Sequence, residues 1–246
     1  MKIAEFLGEG KIVKDFPWQQ YSVLNEYFTD QHFLYHIILG VLILIMGPLV
    51  GTKFSIILLG SLFIFLFGLI LYLLKIKGSA GWALLLLITI PLSFRLGLVK
   101  ATPLSLMFLF LGIFLLIKNK PKGLFGLSFF YVWAYGGFPL LIGVAFLYVV
   151  IDFIYTRKLK ENIILFSSCV LGIIAGVIIH PYFPNNIFYY WQQFVQIGII
   201  NYQDKIGVGG EWYPYAIYDL MAGAPILFLI LLIALFLFGF NIKKLK

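Results

Sequence analysis

The chain has very little charge and almost no cysteine. Lys, Arg, Asp and Glu make up 11% of its 246 residues, against about a quarter in a soluble domain of this size. No globular core could hide the 62% that is hydrophobic, so lipid is the solvent for most of the chain. The mean hydropathy of +1.03 points the same way. The single cysteine, Cys169, sits in an apolar run, which excludes an internal disulfide and a cysteine-based metal site and leaves a small buried hydrophobe. The first residues, MKIAEFLGEGK, lack an apolar stretch behind their basic ones and do not read as a signal peptide. No soluble domain, linker or internal repeat is evident.

The formal net charge is +8, but it does not point to nucleic acid. The basic residues fall in short clusters between apolar runs, where orientation signals and anionic lipid head groups account for them. The 26 Phe and 15 Tyr suit a bilayer-embedded helical protein with interfacial belts.

A helix needs roughly 20 apolar residues to cross about 30 Å of hydrocarbon. The expected fold is all-α, a polytopic transmembrane bundle with apolar runs near 33–50, 54–74, 80–94, 104–117, 124–151, 163–180 and 217–239. It forms one membrane domain over 1–246. Residues 1–32 are a polar tail or outer loop, 33–180 the bundle, 181–216 an extracytoplasmic aromatic segment, and 217–246 the last helix with a basic cytoplasmic tail. The expected location is the cell membrane.

The 124–151 run is too long for one span and is interrupted at AYGGFP by Gly136, Gly137 and Pro139. It reads as a hairpin of two helices meeting at the break, with a single kinked helix as the other possibility. Lys118, Lys120 and Lys122 precede it and Arg157, Lys158 and Lys160 follow it, so both ends are expected inside. Lys75, Lys77, Lys243, Lys244 and Lys246 then also fall inside, and only Lys53, Arg95, Lys100 and Lys205 fall outside. The side on which the N-terminal tail lies depends on whether 33–50 crosses or returns, and the sequence leaves this open.

Three segments carry candidate chemistry. In FTDQHFLYH, Asp30, His32 and His36 stand at the mouth of the first apolar run, with the two imidazoles four residues apart on one helix face. A carboxylate with two imidazoles suits a divalent cation or acid–base work. An interfacial helix start, with Thr29 as N-cap, accounts for the same residues. In SFRLGLVKATP, Arg95 and Lys100 face outward between two short spans, suited to a lipid phosphate or to snorkelling toward head groups. The segment from His180 to Tyr215 is aromatic, with an amphipathic stretch at 186–200 expected to lie on the membrane and a GVGGEWYPY turn. Its rings suit a sugar face or an interfacial belt.

Read in order, FTDQHFLYH, SFRLGLVKATPLSLMF and GLFGLSFFYVWAYGGFPLLIGVAFLYVV resemble the GT-C superfamily of membrane glycosyltransferases, the oligosaccharyltransferase and protein mannosyltransferase types among them. That pattern has an acidic residue in the first outer loop, an Arg-containing outer turn before a short helix, and a Gly/Pro-broken hairpin. The resemblance implies transfer of a sugar from a polyprenyl-phosphate donor, with Asp30 as the catalytic carboxylate and, in many members, a divalent cation such as Mg or Mn. On that reading Asp30, His32 and His36 are metal ligands. Arg95 and Lys100 hold the donor phosphate. Glu211, as a second catalytic carboxylate, with Trp212, Tyr213 and His180 completes the outer pocket. The chain departs from the family in having no membrane helix before the acidic loop. It has Lys100, Ala101 and Thr102 where a second carboxylate is frequent, and fewer helices. A partner chain supplying missing helices is one expectation from this. A transporter built around the broken hairpin and a non-catalytic membrane subunit are the other readings.

Overall fold

The computed structural model describes residues 2–15, 21, 23–200 and 216–241. The described residues form helices and no strand. In chain order these are α1 (Lys2–Gly8), α2 (Phe33–Met46), α3 (Pro48–Leu73), α4 (Ser79–Ile88), α5 (Ile90–Leu96), α6 (Thr102–Ile117) and α7 (Pro121–Ala134). They continue with α8 (Pro139–Thr156), α9 (Leu159–Ile178), α10 (Asn185–Tyr190), α11 (Ile217–Gly223) and α12 (Pro225–Asn241), and a π-helical stretch, Trp191–Ile197, extends α10. Proline opens α3, α5, α6, α7 and α8 at the first or second helical position, where its missing N–H costs nothing.

Of the seven expected apolar runs, three are helices long and apolar enough to cross a membrane: α3, α8 and α9. Two more spans arise if each bent pair counts as one. In the 80–94 run, α4 and α5 meet at 85° around Thr89, because Pro91 cannot continue the hydrogen-bond ladder. In the 217–239 run, α11 and α12 meet at 103° before Pro225. The two bends face each other, with Gly223 packed against Pro91. The apolar helices α2 and α6 are shorter, at 14 and 16 residues.

The 121–156 segment turns back on itself at the break. Asn119–Glu161, Ser128–Cys169 and Trp133–Gly176 are hydrogen-bonded pairs separated by 42, 41 and 43 residues, so α7 and α9 run parallel and in register. They pack backbone to backbone. A Cβ on Gly172 would strike the Phe125 carbonyl, and one on Gly176 would lie 2.6 Å from the Phe129 oxygen. The chain between them, α8, therefore runs the other way, with Asp152 bonded to Asn162 across the α8–α9 corner. The turns at 118–120 and 157–158 thus share one end of the bundle, and the Gly136–Gly137 break lies toward the other. The two arms pack on α6 and α9 more than on each other.

The 33–50 run ends sooner than its hydropathy suggests. Gly47 takes a φ of +77° and Pro48 starts α3, so the corner lies four residues before Gly51 and Thr52. Thr52 stays helical by bonding its hydroxyl to the Pro48 carbonyl at 2.6 Å, and Gly51 lets α3 close onto Leu42 and Ile43. Further along, Tyr35 meets Ser55. Beyond Leu59, α3 leaves α2 and packs on α6 through Phe63, Phe67 and Phe110. α2 is thus an antiparallel arm on the first turns of a 26-residue helix. Its start lies at the cavity end of the bundle, beside the α5–α6 turn.

Candidate functional site

Four segments that are distant in sequence close around one cavity of about 720 Å³, within the size range of small-molecule sites. The start of α2 contributes Gln31, His32, Tyr35 and His36. The α5–α6 turn contributes Arg95, Val99, Lys100, Ala101 and Thr102, the hairpin break Tyr135, Gly136 and Gly137, and α10 with its π extension Tyr189, Gln193 and Phe194. The break lies against Gln31, whose amide oxygen takes the space that a Cβ on Gly136 would need.

Asp30 is 4% exposed and lies behind this lining. One carboxylate oxygen accepts the His32 backbone N–H at 2.9 Å, a turn that starts α2 in place of a Thr29 cap. The other is 2.6 Å from His36 Nδ1. With Nδ1 engaged, His36 has Nε2 left for the cavity that it lines. The carboxylate thus reaches the cavity through an imidazole. His32 is stacked on Tyr135, with centroids 5.1 Å apart. Burial pushes its pKa down to about 4, against the opposing pull of Asp30, so it is neutral near pH 7.

As arranged, Asp30, His32 and His36 do not form a three-ligand metal centre. Asp30 and His36 bond each other, the His32 ring faces Tyr135, and the two imidazole centroids are 6.2 Å apart. Among the described residues no three His, Cys, Asp or Glu side chains are placed to hold an ion.

The cationic side comes from the turn after α5. Arg95 is half-buried and has no acidic partner among the described residues, and Lys100 is exposed. His180 does not line the cavity with them. It is 3% exposed within a cluster of Phe33, Trp133 and Tyr182, and its Nδ1 accepts the Tyr182 N–H at 3.3 Å. Burial depresses it, too, to about 4. Glu211, Trp212 and Tyr213 lie outside the described residues. The helix expected at 186–200 is found as α10 with its π extension, and it supplies Tyr189, Gln193 and Phe194. Gln31, Tyr135, Tyr189 and Gln193 escaped sequence reasoning as site residues because nothing local marks them. Only the closure of the four segments does.

Fold and site together define a helical membrane protein with a polar cavity at the end of its bundle away from the basic turns. The chain matches no protein-family model, no curated protein and no solved structure.

Proposed function

We propose that the chain is a membrane glycosyltransferase of the GT-C kind, moving a sugar from a polyprenyl-phosphate-linked donor to an acceptor at the extracytoplasmic face. One observation carries this reading: Arg95, Lys100 and an Asp30-backed His36 line or underlie a single cavity with aromatic and amide side chains among them. Those are the groups that a phosphate, a departing proton and a sugar ring require.

In this mechanism the acceptor hydroxyl attacks the anomeric carbon and gives its proton to His36 Nε2. The bond from that carbon to the phosphate oxygen breaks, and the phosphate leaves with the electron pair beside Arg95 and Lys100. Asp30 is a positioning residue. It holds the tautomer with the proton on Nδ1 and stabilises the imidazolium that forms. Tyr189, Tyr135 and Gln193 are suited to the sugar, by ring stacking and amide bonding. No step runs through a metal ion.

The sidedness rests on charge. The basic residues of 118–122 and 157–160 gather at one end, which the positive-inside rule assigns to the cytoplasm. The 14 residues of α7 span about 21 Å from there, which supports a cavity in the outer half of a bilayer about 30 Å thick. The test is a reconstituted assay with polyprenyl-phosphate-linked sugars. Transfer or donor cleavage is expected from the unmodified chain and not from Asp30→Asn or His36→Gln variants that still bind donor. Solute movement across the vesicle without donor cleavage would instead establish a transporter.

A further inference from the structure

His36 keeps 17% of its side chain exposed and lines the cavity, whereas Asp30 keeps 3% and lies behind it. The 2.6 Å contact engages Nδ1 and leaves Nε2, with its lone pair, for whatever the cavity holds. The other imidazole differs. The His32 ring is stacked on Tyr135, and its Nδ1 is buried with no hydrogen-bond partner among the described residues. No serine or cysteine among the described residues lines the cavity, so His36 is the best-supported nucleophile there. The same lining carries Arg95 and Lys100 and, among the described residues, no carboxylate. An uncharged nucleophile beside two cations is suited to phosphorus, because the oxygens of a phosphate ester repel an anionic attacker.

We propose that the chain has a second activity, the cleavage of diphosphate monoesters by passage of their terminal phosphoryl group through His36. The proposal rests on the reading of Arg95 and Lys100 as a phosphate site and needs neither a sugar nor an acceptor hydroxyl. Nε2 gives its lone pair to the terminal phosphorus, and the bond from that phosphorus to the bridging oxygen breaks. The bridging oxygen keeps the electron pair and leaves as part of the monophosphate ester. Asp30, as a positioning residue at Nδ1, stabilises the positive charge that forms on the ring. Water then attacks the phosphorus and the N–P bond breaks. Nε2 regains its pair, one proton of the water goes to solvent, and inorganic phosphate departs. Two cations favour a diphosphate over a simple phosphate ester. One offsets the phosphate under attack and the other the phosphate that leaves, and a leaving phosphate needs no proton whereas an alkoxide does. Sugar transfer breaks a carbon–oxygen bond and this step a phosphorus–oxygen bond, so the two are separable. The diphosphate is common to lipid and soluble esters, and the probes below tell them apart.

The experiment uses the full chain in nanodiscs and two probes radiolabelled on the terminal phosphate: diacylglycerol diphosphate in the bilayer and uridine diphosphate in solution. Released inorganic phosphate and label retained on the quenched protein are measured. Phosphate release is expected from at least one probe, with acid-labile, base-stable label mapped to His36 by mass spectrometry. The probe that is cleaved identifies the organic group as lipid or soluble. His36→Ala is expected to lose the label and to slow release by about a hundredfold or more. Free imidazole, filling the vacated space, is expected to restore part of the release, which a misfolded variant would not allow. The label on the unmodified chain needs no variant. Release without label, undiminished in His36→Ala, would overturn the nucleophile, as would label on Thr102, which lines the same cavity. Sugar transfer by a chain that releases phosphate from neither probe would overturn the phosphoryl activity and leave the glycosyltransferase reading standing. Labelled His36 in a chain that transfers no sugar would do the reverse.

Discussion

At the basic end of the bundle, Asp152 receives bonds from Asn162 at 3.0 Å and Thr156 at 3.0 Å, and Glu161 from Asn119 at 3.2 Å and Lys158 at 3.4 Å. At the cavity end, Thr29 Oγ1, His180 Nε2, Tyr182 OH, Asn186 Oδ1 and Tyr190 OH are all buried without a hydrogen-bond partner among the described residues. Buried polar groups are ordinarily paired, because each unpaired one costs about 1–3 kcal/mol. One end is therefore built as a brace, with its two carboxylates bonded locally around the α8–α9 corner. The other keeps polar groups that the fold alone does not require. Departures from local consistency of this kind collect where a protein binds or reacts.

If that contrast is right, substitutions at the two ends must fail in different ways. The largest effect is expected at the cavity. Asp30→Asn should lower the single-turnover transfer rate by about 10²–10⁴-fold, the usual contribution of a positioned acid–base group, with donor affinity and melting temperature nearly unchanged. A loss of donor binding equal to the loss of rate would make Asp30 a binding residue and not a positioning one. Next is the brace itself. Gly176→Leu drives a side chain into the Phe129 carbonyl and should destabilise the α7–α9 pair by about 1–3 kcal/mol or more, read as a lower denaturation midpoint in detergent. An unchanged midpoint would mean that the parallel register is wrong. Arg95→Ala should weaken donor phosphate binding by about tenfold or more and Arg95→Lys by less, because lysine keeps the charge but loses the planar fork. Equal affinity in both would favour snorkelling to ordinary head groups. The smallest effect belongs to Glu161→Gln. Its ion pair with Lys158 is exposed, and such pairs contribute about 0–1 kcal/mol, so neither stability nor binding should move measurably.

The sequence is informative where chemistry and charge coincide. Gly136, Gly137 and Pro139 mark the hairpin break, because two glycines and a proline weaken a helix there. The lysines flanking it mark the two ends that the structure brings together. Arg95 and Lys100 mark the turn between two short apolar helices, and the structure places both on the cavity. The corner at Gly47–Pro48 is less legible. Lys53 and Thr52 look like a loop by composition, yet both are helical in α3, where Thr52 bonds back to Pro48 and Gly51 lets the two helices touch. Hydropathy likewise cannot tell an arm that returns from a helix that crosses, which is why the sequence leaves 33–50 open. The bends at Thr89 and before Pro225 are visible as prolines but not as 85° and 103° turns, which depend on what each half packs against. The cavity is the least legible part. Its lining comes from four segments, and Asp30 bonds His36, a contact six residues away that helical periodicity alone does not single out.

The most direct test of the account is the side of the membrane on which the cavity opens. Cys169 is fully buried, so single cysteines can be introduced into an otherwise silent background. Intact cells carrying Gln193→Cys, Val99→Cys, Lys120→Cys or Lys158→Cys are treated with a membrane-impermeant maleimide. Labelling at 193 and 99 with protection at 120 and 158 until the cells are opened is the predicted result. Protection at 193 and 99 with labelling at 120 and 158 would put the cavity on the cytoplasmic side and contradict extracytoplasmic transfer.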